Sequence, residues 1–387
     1  MEKITSLGET NFRNQHKRFG IKHADRRHHT YIIGRTGTGK STLIANLARQ
    51  DMVNDEGLAL LDPHGDLAEE LVRSVPEARR SDLIYFNATD PASALAFNPL
   101  ELTPSASKPL VASGLIAVFK KIWPESWGPR MEYILRNVLL ALLDLPGSML
   151  LDVPRLLDDA EFRGYVLANV ENPAIRRFWV REYQKFPANF RAEAISPIQN
   201  KIGEFLVNPL LRRVVGQPKS SFDLRQVMDE KKILLVNLAK GKIGEDTAAL
   251  LGAMLATKLS LAALSRADIA EPDRRDFYLY VDEFPSFTTT SLAGMLSEMR
   301  KYRLNLVLAH QHMAQLDETV RDAILGNAGT IMSFHVGLSD AELLEKEFHP
   351  EFTAHDLVNL PNYHVYLKLM IDGVVSKPFS ARTLLSR

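Results

Sequence analysis

No cysteine occurs among the 387 residues, which excludes disulfides and thiolate-held metals and fits a reducing compartment. An excess of charge of either sign is also missing. Forty-seven basic residues balance 47 acidic ones, so no overall field draws the chain onto DNA or an anionic membrane, and any nucleic-acid contact must come from a local patch. Long apolar runs are absent as well. The longest, LLGAMLATKLSLAAL (250–264), is broken by Thr257, Lys258 and Ser260 and reads as too short and too polar for ~30 Å of hydrocarbon. MEKITSLGETNF at the N-terminus lacks the unbroken apolar core of a signal peptide. Neither an internal repeat nor a low-complexity tract is found. These absences predict a cytoplasmic protein, reaching the inner face of a membrane only through a partner. What is present, 45% hydrophobic and 24% charged residues, is the balance of a folded chain with room for one large domain or two ordinary ones.

Six short apolar runs recur: YIIG (31–34), LALLD (58–62), ILLVNLA (233–239), FYLYVD (277–282), LNLVLAH (304–310) and TIMSF (330–334). Runs that are apolar at every position suit strands covered on both faces, as in a parallel sheet between helix layers. Strand alternating with helix then gives an α/β fold. Between NATDP (87–91) and ILLVN no strand pattern is convincing. VASGLIAVFKKIW, MEYILRNVLLALLDL, PAIRRFWVREYQKF and RAEAISPIQNKIGEFL are all patterned at helical period, punctuated by Pro124, Pro146, Pro173, Pro187 and Pro209. The expected organisation is a core begun by residues 1–104, an inserted all-helical domain over 105–229, and a return to the core over 230–387. In HVYLKLMIDGVVSKPFS the alternation of Val365, Leu367, Leu369 and Ile371 around Asp372-Gly373 predicts a C-terminal β-hairpin.

Residues 34–42 read GRTGTGKST, a match to G-x-x-x-x-G-K-[ST] placed directly after the strand YIIG and before the helical pattern LIANLARQ. Gly34, Gly37 and Gly39 let the backbone curl so that the N–H groups of Arg35, Thr36, Thr38 and the following helix start, through Thr42, face a phosphate. Lys40 is expected on the β- and γ-phosphates of ATP, and Ser41 on Mg²⁺. A glycine-rich turn that binds nothing leaves the flanking strand and helix unexplained. FYLYVDEF then places Asp282 at a strand tip, where it would hold Mg²⁺ through its water shell, and Glu283 next to it as the base for the attacking water. The plain alternative is a pair of solvated loop carboxylates. Gln311, closing LNLVLAHQH, would reach the γ-phosphate or the water, although a polar residue at a strand end is weak evidence alone. His310 and His312 flank it at a spacing a metal pair can use, but no third ligand is in view.

Four pieces in order, GRTGTGKS, LLDPHGDL (60–67), YVDEF and LAHQ, together resemble the FtsK/HerA superfamily of ring-forming translocases. Within it the chain is similar to type IV secretion and conjugative coupling-protein ATPases of the TraD/TraG type. The likeness extends to NFRNQHKRFGIK, WGPRMEYILRN, SPIQNKIGEFL, NLAKGKIGED and LVNLPNYHVYLKLMIDG. It implies a RecA-like P-loop core with a helical insert, a homo-hexameric ring, ATP and Mg²⁺ as ligands, DNA as the moved substrate, and relaxosome or secretion-channel proteins as partners. Carried over by position, Asp62 and His64 in DPHGD lie near the phosphates in a supporting role. Two departures stand out. Pro285 removes an amide where the family commonly reads D-E-F-Q, and His335 stands where it commonly reads F-R in the last core strand. That arginine position resembles a trans-acting cation, and Arg300, Arg303 or Arg130 are the alternatives to supply it.

DNA rests mostly on the resemblance. HKRFGIKHADRRHH (16–29) and RRFWVREYQK (176–185) are locally basic, and Phe178, Trp179 and Tyr183 among the charges of the second suit base stacking. They equally suit a solvated helix face whose aromatics turn into the core. Three activities therefore stay open: a DNA-translocating motor, an ATPase for protein secretion or pilus assembly without a DNA track, and a nucleotide-binding scaffold with weak hydrolysis.

Overall fold

The computed structural model describes residues 3–11, 16–90, 95–103 and 106–384. Residues 12–15 of NFRNQHKRFGIK, Pro91 of NATDP, and the expected boundary at 104–105 lie outside them. The chain divides into two compact units, one of Met1–Phe86, Val227–Ala239 and Arg266–Arg387, the other of Asn87–Gln226 and Lys240–Ser265.

The first unit is built on an 11-stranded sheet. Its strands in chain order are β1 (Ile4–Thr10), β2 (Arg18–Lys22), β3 (Thr30–Ile33), β4 (Gly57–Asp62), β5 (Leu83–Asn87), β6 (Ile233–Asn237), β7 (Phe277–Val281), β8 (Leu304–His310), β9 (Thr330–Ser333), β10 (His364–Lys368) and β13 (Phe379–Thr383). A separate two-stranded ribbon pairs β11 (Met370–Ile371) with β12 (Val374–Val375). The sheet order is β2-β1-β13-β10-β9-β3-β8-β7-β4-β6-β5. Strands β9, β3, β8, β7, β4 and β6 run parallel to one another, and every residue of β3, β4, β6, β7, β8 and β9 is buried. All six strands expected from continuous apolar runs are found, for the expected reason: both faces are covered.

The flank β10, β13, β1 and β2 is antiparallel. Between β10 and β13 the ribbon turns at Asp372 and Gly373, both left-handed (φ 52° and 80°), the geometry a two-residue hairpin turn demands. The Asp25 carboxylate fixes that turn by accepting from the backbone N–H groups of Asp372 and Gly373, each at 2.9 Å. The N-terminal hairpin β1–β2 is not legible in the sequence. ITSLGET and RFGIK show neither a continuous apolar run nor sustained alternation, and β1 gains its second partner only from β13 at the far end of the chain.

Beyond Asn87, which ends β5, the regular structure of the second unit is all helical among its described residues. Proline opens the helices Pro129–Leu143, Pro173–Arg177 and Pro209–Val215, where a missing N–H costs nothing, and Pro187 precedes Ala188–Leu206. The helix Glu245–Ser265, which lies after the expected insert in the sequence, groups with this unit and packs on Lys108–Ile122. The apolar run 250–264 read as too short to span a membrane. The helical segment is longer, Glu245–Asp268, and by length and composition alone could cross one, but 78% of its apolar window is buried in the protein.

Candidate functional site

The phosphate loop leaves the sheet between β8 and β9. Gly34 N–H donates to the His310 carbonyl at 3.3 Å, and Arg35 N–H to the His335 carbonyl at 2.8 Å. A Cβ on Gly34 would stand 2.6 Å from the Phe334 Cβ, so only glycine passes here. Gly39 has φ 120°, directly before the helix Lys40–Val53. Lys40 folds back over the loop, its Nζ donating to the carbonyls of Gly34 (2.6 Å) and Arg35 (3.1 Å). Burial pushes its ammonium below the ordinary lysine range, while the Glu283 and Asp282 carboxylates hold it up.

The two carboxylates arrive from β7. Asp282 is buried, and Ser41 Oγ donates to its Oδ2 at 3.3 Å. Burial first, then the neighbouring Glu283 and Asp62 carboxylates, push Asp282 up to about 6 against the pull of Lys40. Glu283 is also buried and sits in the left-handed region (φ 48°, ψ 47°). For a side chain with a Cβ that conformation costs on the order of 1 kcal/mol, the kind of strain that surrounding structure must impose.

Gln311 closes the cluster from the end of β8. Its Nε2 donates to Glu283 Oε1 at 2.6 Å, and its Oε1 accepts from Thr36 Oγ1 at 2.7 Å. Lys40, Ser41, Asp282, Glu283 and Gln311 thus gather around the loop. Asp62 shapes the neighbouring turn, Oδ1 accepting from His64 N–H and Oδ2 from Ala68 N–H, both at 2.9 Å, while the His64 side chain is exposed. His310 is neutral, lowered by burial to about 3, and its Nε2 lies 2.6 Å from Tyr31 Oη. His312 Nδ1 faces Asp340 Oδ2 at 3.3 Å. These partners leave no His310–His312 metal pair, and among the described residues no group of three or more His, Asp or Glu side chains could hold a metal ion.

The candidate cations separate cleanly. His335 Nε2 is 3.5 Å from Arg35 Nη1, beside the chain's own phosphate loop. Arg300 lies before β8, at the opposite end of that strand from Gln311, with Nη1 3.1 Å from His28 Nδ1. Arg303 caps the same turn with φ 59°. Arg130 is in the helical unit, 4.6 Å over the Phe190 ring and 3.9 Å from Glu193. One residue beside the loop escaped the sequence reading. Tyr363, itself left-handed (φ 65°), donates its N–H to the Thr38 carbonyl at 2.8 Å and lays its ring against Gly39. Nothing in PNYHV distinguishes it from any loop tyrosine.

Both basic stretches are partly spent inside the protein. Phe178, Trp179 and Tyr183 are 1%, 0% and 0% exposed, so the base-stacking reading of RRFWVREYQK fails: these rings pack on each other, at 5.2 Å and 4.8 Å between successive centroids. Within 16–29, Arg26 is buried and paired with both Asp51 oxygens, and Arg27 is paired with Asp276. Exposed basic residues remain for an anion in both stretches, among them Lys17 in 16–29 and Arg177, Arg181 and Lys185 in 176–185.

A family model, the type IV secretion-system coupling protein DNA-binding domain, matches residues 15–348. Among solved structures the chain is similar to the unbound bacterial conjugative coupling protein TrwBdeltaN70, with a TM-score of 0.68 at 15% identity over 100% of this chain and 90% of that one. It is similar to plasmid coupling protein TrwB in complex with the ATP analogue ADPNP (0.65, 17%, 94% of this chain and 86% of that one). VirB4 of Thermoanaerobacter pseudethanolicus matches at 0.63 and 14% identity over 98% of this chain and 96% of that one. At these identities the likeness establishes the fold. No curated protein sequence matches significantly.

Proposed function

Because the chain belongs to the family of type IV secretion-system coupling protein DNA-binding domains, we propose that it is an ATP-hydrolysing ring motor that moves DNA. The observation that carries this reading is the convergence of Lys40, Ser41, Asp282, Glu283 and Gln311 at the carboxyl ends of the adjacent parallel strands β3, β7 and β8. TrwB complexes with ADPNP and with ADP and Mg²⁺ support ATP and Mg²⁺ as its ligands.

In the proposed reaction Lys40 exchanges its carbonyl partners for the β- and γ-phosphate oxygens of ATP. Ser41 Oγ and the Asp282 carboxylate are hard oxygen donors close enough to share one ion, a set that fits Mg²⁺, which when bound would screen the phosphate charge. Glu283, held by Gln311, takes the proton of the attacking water as its oxygen bonds to the γ-phosphorus and the bond to the β-bridging oxygen breaks. His335, beside its own loop, acts in cis. Arg300 stands about 20 Å of strand away from Gln311, since β8 spans seven residues. It cannot reach its own nucleotide and so serves a neighbour's. Such a head-to-tail contact closes into a ring or grows as a filament. The buried aromatics of 178–183 remove one DNA contact that the sequence offered, which keeps open a second reading, an ATPase for secretion without a DNA track.

ATP turnover with and without single- and double-stranded DNA tests the proposal. Stimulation by DNA supports the motor, DNA-independent turnover supports the second reading, and no turnover in either condition removes both.

A further inference from the structure

We propose that Thr36 is a positioning residue for hydrolysis, tying the loop that wraps the phosphates to the carboxylate that activates water. This rests on the reading of Glu283 as the base. The phosphate-binding motif leaves position 36 open to any residue, so nothing in the pattern assigns it a task. The geometry does. Thr36 Oγ1 donates to Gln311 Oε1 at 2.7 Å, and Gln311 Nε2 donates to Glu283 Oε1 at 2.6 Å.

The chemistry of each group fixes the direction of this chain. An ionised carboxylate only accepts, so the amide must turn its NH₂ to Glu283 and its carbonyl outward. The Thr36 hydroxyl gives that carbonyl its hydrogen bond while adding no charge to the loop. With both ends held, the Gln311 amide is confined to one rotamer and one flip. The inner bond, to a buried charge, is of the strong charge-assisted kind, and it polarises the amide so that the outer carbonyl accepts more strongly. The outer bond lies at an exposed threonine, where water competes. A free-standing hydrogen bond there would be worth little, but as the end of a polarised chain it decides where Glu283 points.

Losing the hydroxyl should therefore misplace the base without touching phosphate binding. Thr36→Val keeps the branched shape and removes the donor. Its kcat should fall roughly tenfold to a hundredfold, the range a small misplacement of a catalytic group produces, with KM for ATP nearly unchanged. Thr36→Ser should restore the rate. Gln311→Leu should cost as much alone as combined with Thr36→Val, because either change breaks the same chain. A parental kcat in Thr36→Val, no recovery in Thr36→Ser, or losses that multiply in the double variant would each overturn the proposal. Glu283→Gln in the same assay separates the two ideas: turnover at the parental rate there refutes the base reading and not the tether. The tether is then judged on the nucleotide-free protein by the same double-variant cycle in thermal midpoints. Non-additive shifts support it and additive shifts overturn it.

Discussion

Arg35 Nη1 and His335 Nε2 stand 3.5 Å apart, a phosphate-loop guanidinium against a histidine two residues beyond the last parallel strand. That contact puts position 335 beside its own chain's phosphate loop, where we propose that it acts in cis. Arginine is always charged and offers a planar fork of donors, whereas histidine offers one donor at a time when neutral. His335→Arg should accordingly raise kcat with little effect on ATP affinity. Arg300→Ala should cost turnover only in the assembled ring. An unchanged kcat in His335→Arg, alongside collapse in Arg300→Ala, assigns the essential cation to Arg300 alone.

Lys40→Ala and Glu283→Gln should separate binding from chemistry. The first deletes the ammonium that folds over Gly34 and Arg35, and tight nucleotide binding goes with it. The second keeps the shape of the acid and still accepts from Gln311 while losing the base, so ATP stays bound and uncleaved. A filter-binding measurement beside a phosphate-release assay reads both. Parental turnover in Glu283→Gln would remove Glu283 from the reaction.

Acid should loosen the first unit through His29. Its Nδ1 accepts from Leu306 N–H at 3.1 Å and its Nε2–H donates to the Leu296 carbonyl at 3.0 Å, so the buried ring is neutral and burial lowers it to about 4. The unfolded chain takes up this proton near pH 6.5 and the folded one does not until about 4. The stability His29 contributes is thus complete above pH 6.5 and is lost as pH falls toward 4, by about 3 kcal/mol. His29→Asn, which tolerates the left-handed backbone, should be less stable at pH 7.5 yet show a flatter fall in chemical-denaturation midpoint between pH 6.5 and 4. An unaltered slope would exclude His29 as the source.

Asp282 works in the opposite sense. With its carboxyl pushed up to about 6, the ionised form burdens the nucleotide-free fold above that pH. The burden fades as pH falls and vanishes below about 3.8, where both folded and unfolded carboxyls are protonated. Asp282→Asn should melt higher than the parent at pH 8 and equally at pH 4, while losing Mg²⁺-dependent nucleotide binding. A variant that melts lower at pH 8 would show that the Ser41 and backbone hydrogen bonds outweigh the charge.

The aromatics of 178–183 should report on stability and not on DNA. Trp179→Ala removes a fully buried ring and should cost about 3–5 kcal/mol. The exposed pair Arg177→Ala and Arg181→Ala should leave the melting midpoint unchanged and weaken DNA binding most at low salt. An undisturbed affinity in that double variant would move the DNA contact elsewhere on the protein.

The sequence by itself determined the parallel core, because a strand covered on both faces must be apolar at every position, as LALLD, ILLVN and FYLYV are. It also determined the phosphate loop and the DG turn, where backbone geometry admits few residues, and the carboxylate pair at the tip of a buried strand. Those constraints act over a few neighbouring residues, so they are written locally. Tertiary structure alone decided the rest. That Gln311 grips Glu283, that Thr36 grips Gln311, and that Tyr363 lies on Gly39 depend on strands β3, β7 and β8 and the C-terminal flank meeting across long stretches of chain. That Arg26 pairs with Asp51, and that Trp179 turns inward, are likewise decided by packing partners, since a basic or aromatic residue reads the same in sequence whether it faces DNA or the core.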